Sequence, residues 1–160
     1  MSAGRPTKGS GPPTGLSPAR VQSMRRPVAA HHHRILVVED DLELRDALGQ
    51  LLEAEGYVVE YALDGGEALD RLEVPQPPCL ILLDLMMPRV DGWQFRAAQV
   101  RNPRMAAIPV IVCSGAGNVG EKAASLGIPS YLQKPLDPDA LLDLVRRYCD
   151  EREPDPAELN

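Results

Sequence analysis

From residue 34 onward the chain alternates short apolar runs with segments of helical spacing. Ile35-Leu36-Val37-Val38 is continuously apolar, as in a strand buried on both faces. Asp41 is placed to cap the next segment, in which Leu44, Ala47, Leu48, Leu51 and Leu52 recur at helical spacing before Gly56 stops it. Val58 to Ala62 reads as a second strand, richer in polar residues and so nearer a sheet edge. Asp64-Gly65-Gly66 turns the chain into a short helix bearing Ala68, Leu69 and Leu72, and Pro75, Pro77 and Pro78 end that unit. Cys79 to Leu83 is the third expected strand. A loop from Asp84 to Gly92, containing Pro88, leads into a helix with Trp93, Ala97 and Val100 that stops before Asn102-Pro103. Ile108 to Cys113 and Ser130 to Gln133 complete the strands. Between them lies glycine-rich Ser114 to Gly120 and a short helix around Glu121 to Leu126. Asp137 caps a last helix with Leu141, Leu142, Leu144, Val145 and Tyr148 on its apolar side.

Such strand–helix alternation predicts an α/β fold: a doubly wound, five-stranded parallel sheet with helices on both faces. The helix after the fourth strand is expected to be short or irregular, because each interior glycine costs about 1 kcal/mol of helix stability. In open parallel sheets, function collects at the carboxyl ends of the strands.

Charge divides the chain. Residues 1–34 carry six of the 17 basic residues and none of the 23 acids, so the rest is strongly acidic. Residues 1–33, with five prolines and four glycines, read as a disordered basic tail closed by His31, His32 and His33. For that triplet a low-complexity reading outweighs a weak metal-binding one. Residues 34–150 form the expected domain, and 151–160 an acidic, proline-containing tail. The acidic domain is a poor DNA ligand by itself, and the basic tail has no partner assigned. No run approaches the ~18 apolar residues of a membrane span, and no secretory signal is expected. Cys79, Cys113 and Cys149 form no CxxC pair, which speaks against a zinc site or a disulfide framework and for a reducing cytoplasm.

The strand ends supply the candidate chemistry. Glu39 and Asp40 follow the first strand, Asp84 the third, Ser114 the fourth and Lys134 the fifth. Three carboxylates on one rim repel one another and call for a cation. An all-oxygen donor set suits Mg²⁺ or Mn²⁺ rather than zinc. A divalent cation beside a carboxylate, an ammonium and a hydroxyl is equipment for handling a phosphoryl group, with Asp84 as the nucleophile. Singly, each residue has a plainer reading: Asp84 as a turn cap, Glu39-Asp40-Asp41 as acids favoured at a helix start, Ser114 as a cap, Lys134 as a surface lysine, Tyr131 as core. The plainer readings leave the shared rim unexplained.

The segments ILVVEDD, LILLDLMMPRVDG, VIVCSGA and YLQKPL together resemble the receiver domain of two-component response regulators, over about residues 34–150. The resemblance implies strand order 2-1-3-4-5, the flavodoxin-like order, and a phosphorylation-controlled switch, not an enzyme on other molecules. Asp84 would accept a phosphoryl group from the phosphohistidine of a histidine kinase or phosphotransfer protein. Glu39, Asp40, Asp84 and the backbone carbonyl of Met86 would hold the cation. Ser114 would bond the phosphoryl oxygen, Lys134 would pair with it, and the Lys134-Pro135 bond would be cis. Tyr131 matches the switch aromatic, and Gly115 a small residue that leaves the site accessible. Met86 and Ala116 occupy the positions that tune dephosphorylation, and both are apolar, so slow self-dephosphorylation is expected. The segment from Ser114 to Tyr131 departs from the family by being about two residues short.

The ten residues after Asp150 cannot themselves build a DNA-binding module, so the expected output is a contact with another protein. The alternative is a receiver-fold scaffold that works without phosphorylation. A phosphatase is disfavoured because Met86 stands where a second acid is needed. A flavodoxin-like cofactor binder is disfavoured because acids follow the first strand and repel phosphate.

Overall fold

The computed structural model describes residues 33–115 and 117–150. The expected basic and acidic tails lie outside these residues, apart from His33. Five strands form one parallel sheet: β1 (Arg34–Val38), β2 (Val58–Ala62), β3 (Leu80–Leu83), β4 (Val110–Ser114) and β5 (Ser130–Gln133). Their order is β2-β1-β3-β4-β5, as the resemblance implies. The described helices are α1 (Leu42–Ala54), α2 (Gly65–Leu72), α3 (Gly92–Arg101), α4 (Pro103–Ala106), α5 (Val119–Ser125) and α6 (Pro138–Cys149).

Side-chain alternation along the strands sorts the core into two layers. Ile35, Val37, Leu80, Leu82, Ile111 and Cys113 face α1 and α6, where Leu48, Leu52, Leu141 and Val145 close over them. Leu36, Val38, Ile81, Leu83 and Val112 face the other way, toward Ala68, Leu72, Phe95 and Ala123. The central strands β1, β3 and β4 are therefore apolar on both faces, while edge strand β2 admits Glu60.

Helix starts follow the expected capping chemistry. The Asp41 carboxylate accepts from the amides of Glu43 and Leu44 at the start of α1. Asp137 accepts from Asp139 at α6. Asp91 and Gln94 form a reciprocal capping box at α3.

Two features depart from the sequence reading. Helix α4 lies where a plain connection was expected: Asn102 ends α3 and caps α4 through the Arg104 amide, with Pro103 in the first turn. Its turn continues through Ile108, whose N–H donates to Met105, so β4 begins at Val110 rather than Ile108. Gln99, fully buried, holds this turn by donating to the carbonyls of Met105 and Ile108. Helix α5 is short, as expected. Its cap residue, Asn118, is left-handed (φ 60°) and makes no side-chain cap bond.

Candidate phosphoacceptor site

The parallel sheet brings all the strand-end residues to one rim. Glu39 directly follows β1 and Asp84 directly follows β3, and these strands are adjacent. Ser114 ends β4, and Lys134 follows β5; the Lys134 amide donates to the Ser114 carbonyl at 2.9 Å. Glu39 is 3 % exposed, Asp84 4 % and Ser114 0 %, whereas Asp40 is exposed. The carboxylate oxygens of Glu39, Asp40 and Asp84 lie within 4.8 Å of one another.

Lys134 supplies the balancing charge. Its Nζ donates to Glu39 Oε2 at 2.7 Å and lies 3.5 Å from Asp84 Oδ2. The other Asp84 oxygen accepts from the Met86 amide at 3.2 Å. Burial pushes the Glu39 carboxyl up to about 7; the Lys134 bond offsets part of that rise and the Asp84 charge adds to it. Burial works against the Lys134 charge, but the hydrogen bond to Glu39 and the negative charges of Asp84 and Glu39 outweigh it, leaving its pKa above the ordinary lysine value. One ammonium thus serves two buried carboxylates, with the exposed carboxylate of Asp40 beside them. The surplus negative charge and the oxygen-only donors fit a hard divalent cation. Asp41 is turned to helix capping, as its plainer reading had it.

Several neighbours were less legible. The Lys134-Pro135 peptide is cis, as the resemblance implies. Tyr131 is 49 % exposed rather than core. Its ring rests where Gly120 has no side chain; a Cβ there would come within 2.9 Å of it. Met87 packs inside, whereas Met86 is 61 % exposed. Ala116 lies outside the described residues.

Asp64 and Arg89 carried no site signal in the sequence, yet they join the acceptor loop to the β2 edge. Asp64 caps α2 through the Glu67 amide, and Arg89 Nε bonds its other oxygen at 2.6 Å. Arg89 adopts a left-handed backbone (φ 62°), which aspartate-rich turns disclose and arginine does not. The Glu67 amide and the Arg89 guanidinium hold the Asp64 carboxyl below its usual range. Gly92 is required where α3 meets the loop, since a Cβ there would stand 2.7 Å from the Asp84 carbonyl oxygen and the Leu85 Cα.

Comparison with known proteins agrees with this architecture. The sequence profile of the response regulator receiver domain matches residues 35–146. Response regulator MprA of Mycobacterium tuberculosis is 39 % identical over 126 residues, covering 78 % of this chain and 54 % of MprA. The chain thus spans about half the length of the curated relatives it matches. A response regulator from Chloroflexus aurantiacus superposes with a TM-score of 0.67 at 28 % identity, covering 74 % of this chain and 98 % of that one. The receiver domain of sensor histidine kinase PA1611 from Pseudomonas aeruginosa, solved with a magnesium ion in its active-site cleft, gives 0.67 at 25 % identity, covering 74 % and 98 %. With the family profile matching residues 35–146 and the sheet order shared with these folds, this chain belongs to the response regulator receiver domain family of two-component signalling.

Proposed function

We propose that the protein is a phosphorylation-controlled switch whose acceptor is Asp84, loaded by a histidine kinase or a phosphotransfer protein. The observation that carries this reading is the pairing of a buried aspartate with Lys134 beside two further carboxylates. An Asp84 oxygen attacks the phosphorus of a phosphohistidine; a P–O bond forms, the P–N bond breaks, and the imidazole leaves with the electron pair. Lys134, 3.5 Å away, is placed to neutralise charge on a phosphoryl oxygen. The Met86 amide holds the second oxygen of Asp84 and so orients the nucleophile. Ser114, at the adjoining strand end, is the donor to the modified group, and Tyr131 beside α5 is the aromatic that responds to it.

Glu39, Asp40, Asp84 and the Met86 carbonyl are the ligands proposed for Mg²⁺, in keeping with the magnesium-bound PA1611 receiver domain. When bound, the cation offsets negative charge on the acceptor and the incoming phosphoryl group. The protein acts on itself rather than as an enzyme on other substrates, and its output is a protein–protein contact in the cytoplasm. Among the described residues no helix is long and apolar enough to cross a membrane.

The test is intact mass after incubation with a small acyl phosphate, with and without Mg²⁺, for wild type and Asp84→Asn. A Mg²⁺-dependent phosphoryl adduct on wild type alone is expected. A folded wild type that takes no adduct, even from its kinase, overturns the reading in favour of a phosphorylation-independent scaffold.

A further inference from the structure

At the opposite pole of the sheet, three soft donors from distant parts of the chain meet. His33 directly precedes β1, and Cys79 directly precedes β3, the neighbouring strand. The Cys79 amide donates to the Arg34 carbonyl at 2.8 Å, which locks these two strand entries together. Helix α6 returns to this end of the sheet and delivers Cys149 at its last turn. The two sulfurs are 3.0 Å apart, joined by a hydrogen bond that either thiol can donate. A ring nitrogen of His33 and both sulfurs lie within 4.8 Å of one another. Cys149 is buried, while His33 and Cys79 are partly exposed, so the cluster is reachable from solvent on one side.

Two sulfurs and an imidazole are a donor set unlike that of the acidic rim. They suit a borderline-soft, tetrahedral ion and leave one position for water or another donor. With Zn–S near ~2.3 Å and Zn–N near ~2.0 Å, tetrahedral donors stand roughly 3.5–3.8 Å apart. The sulfurs need to part by less than about 1 Å to reach that spacing. The cysteine spacing in sequence concealed this, because the three donors converge only through the β1–β3 pairing and the return of α6. The arrangement also employs the last member of the histidine triplet, which the acceptor site does not use.

We propose that His33, Cys79 and Cys149 form a Zn²⁺ site that ties together the entries to β1 and β3 and the end of α6. Uptake replaces the S–H bonds of both cysteines with Zn–S bonds and releases two protons; no electron transfer is involved. The site is separate from the acceptor rim in both place and donor chemistry.

The experiment uses the full chain, reduced and stripped of metal, with millimolar Mg²⁺ present to occupy the acidic rim. It is titrated with Co²⁺ as a spectroscopic probe and then with Zn²⁺. One equivalent of Co²⁺ producing a thiolate-to-cobalt absorption band, displaced by one Zn²⁺, is the expected result. Cys149→Ser and Cys79→Ser abolish the band. His33→Ala weakens Zn²⁺ binding by more than about tenfold, the lower figure for loss of an outer-shell partner. Cys113→Ser, buried between sheet and helices, leaves the band unchanged. If buried Cys149→Ser fails to fold by circular dichroism, partly exposed Cys79→Ser carries the test. The proposal is overturned by a folded wild type without the thiolate band, or by a band that survives Cys79→Ser. Metal held with no thiolate signal, through the neighbouring histidines, overturns it as well. So does a Cys79–Cys149 disulfide that forms on removal of reductant and leaves zinc-treated protein metal-free.

Discussion

Met86 stands two residues after Asp84, the proposed acceptor, and is 61 % exposed, where a polar side chain could hold a water and the thioether does so poorly. Replacing it with asparagine supplies an amide able to orient the attacking water. Met86→Asn is expected to shorten the lifetime of the phosphorylated protein by between about twofold and tenfold, well short of the ~10²-fold of a full general base. The decay of intact-mass signal after removal of the phosphodonor measures it, and an unchanged lifetime refutes the reading of slow turnover. Asp64 offers a second residue-scale test. Its carboxyl is held below the ordinary value by the Glu67 amide and Arg89. A depressed acid stabilises the fold above its unfolded pKa, and that contribution disappears as pH falls through the folded value. Wild type is therefore expected to lose this increment on acidification below about pH 4. Asp64→Asn keeps a capping oxygen but loses the ion pair, so its deficit of about 1 kcal/mol at neutral pH shrinks in acid. Denaturant midpoints at the two pH values give the comparison.

At the scale of elements, the junction of β3, its loop and α3 positions Asp84. Gly92 begins α3 against the Asp84 backbone, and Gly65 begins α2 against Val90 in the same loop. A methyl group at position 92 meets backbone at 2.7 Å, which no side-chain rotation relieves. Gly92→Ala is expected to destabilise by about 1–3 kcal/mol and to slow phosphorylation, because the shift displaces Asp84 itself. Gly115→Ala is the contrasting case. Its nearest neighbours are the aliphatic carbons of Lys134 at 3.8 and 3.9 Å, an ordinary contact. That variant is expected to keep stability within about 0.5 kcal/mol. Thermal melts and adduct formation rates on the pair separate a backbone clash from mere crowding of the rim.

Across the described domain, helices α5 and α6 are held to the sheet unequally. Helix α6 spans 12 residues, has a side-chain cap and buries Leu141, Leu142, Val145 and Cys149. Helix α5 spans seven, has no side-chain cap bond and buries Val119 and Ala123. Fewer buried contacts and uncapped amides mean a lower opening free energy. Hydrogen exchange is expected to release α5 amides well before those of α6 and of β1, β3 and β4. Equal protection in the two helices overturns this. Since Tyr131 rests on Gly120 of α5, the element that opens first is the one beside the proposed aromatic switch.

Much of this was legible along the chain. Continuous apolar runs announced β1, β3 and β4 because a strand buried on both faces has no polar side to show. Asp41 and Asp137 announced their helices because capping is a local interaction, settled within three residues. Once the strands were ordered, the rim of Glu39, Asp40, Asp84, Ser114 and Lys134 followed, since parallel strands place their carboxyl ends together. Helix α4 escaped notice because a single turn has no periodicity to read. The Asp64–Arg89 bond, the Gly92 contact and the exposure of Tyr131 and Met86 escaped for a different reason. Each depends on distances between segments far apart in sequence, which only the packed chain sets. The meeting of His33, Cys79 and Cys149 is of the same kind: no local spacing encodes it, and strand pairing with a returning helix creates it. Local chemistry and hydrophobic period thus determined the strands, their capped helices and the polar residues at the strand ends. Tertiary structure alone decided which side chains share a charge, which face solvent and which soft donors converge, because those are properties of distance rather than of order along the chain.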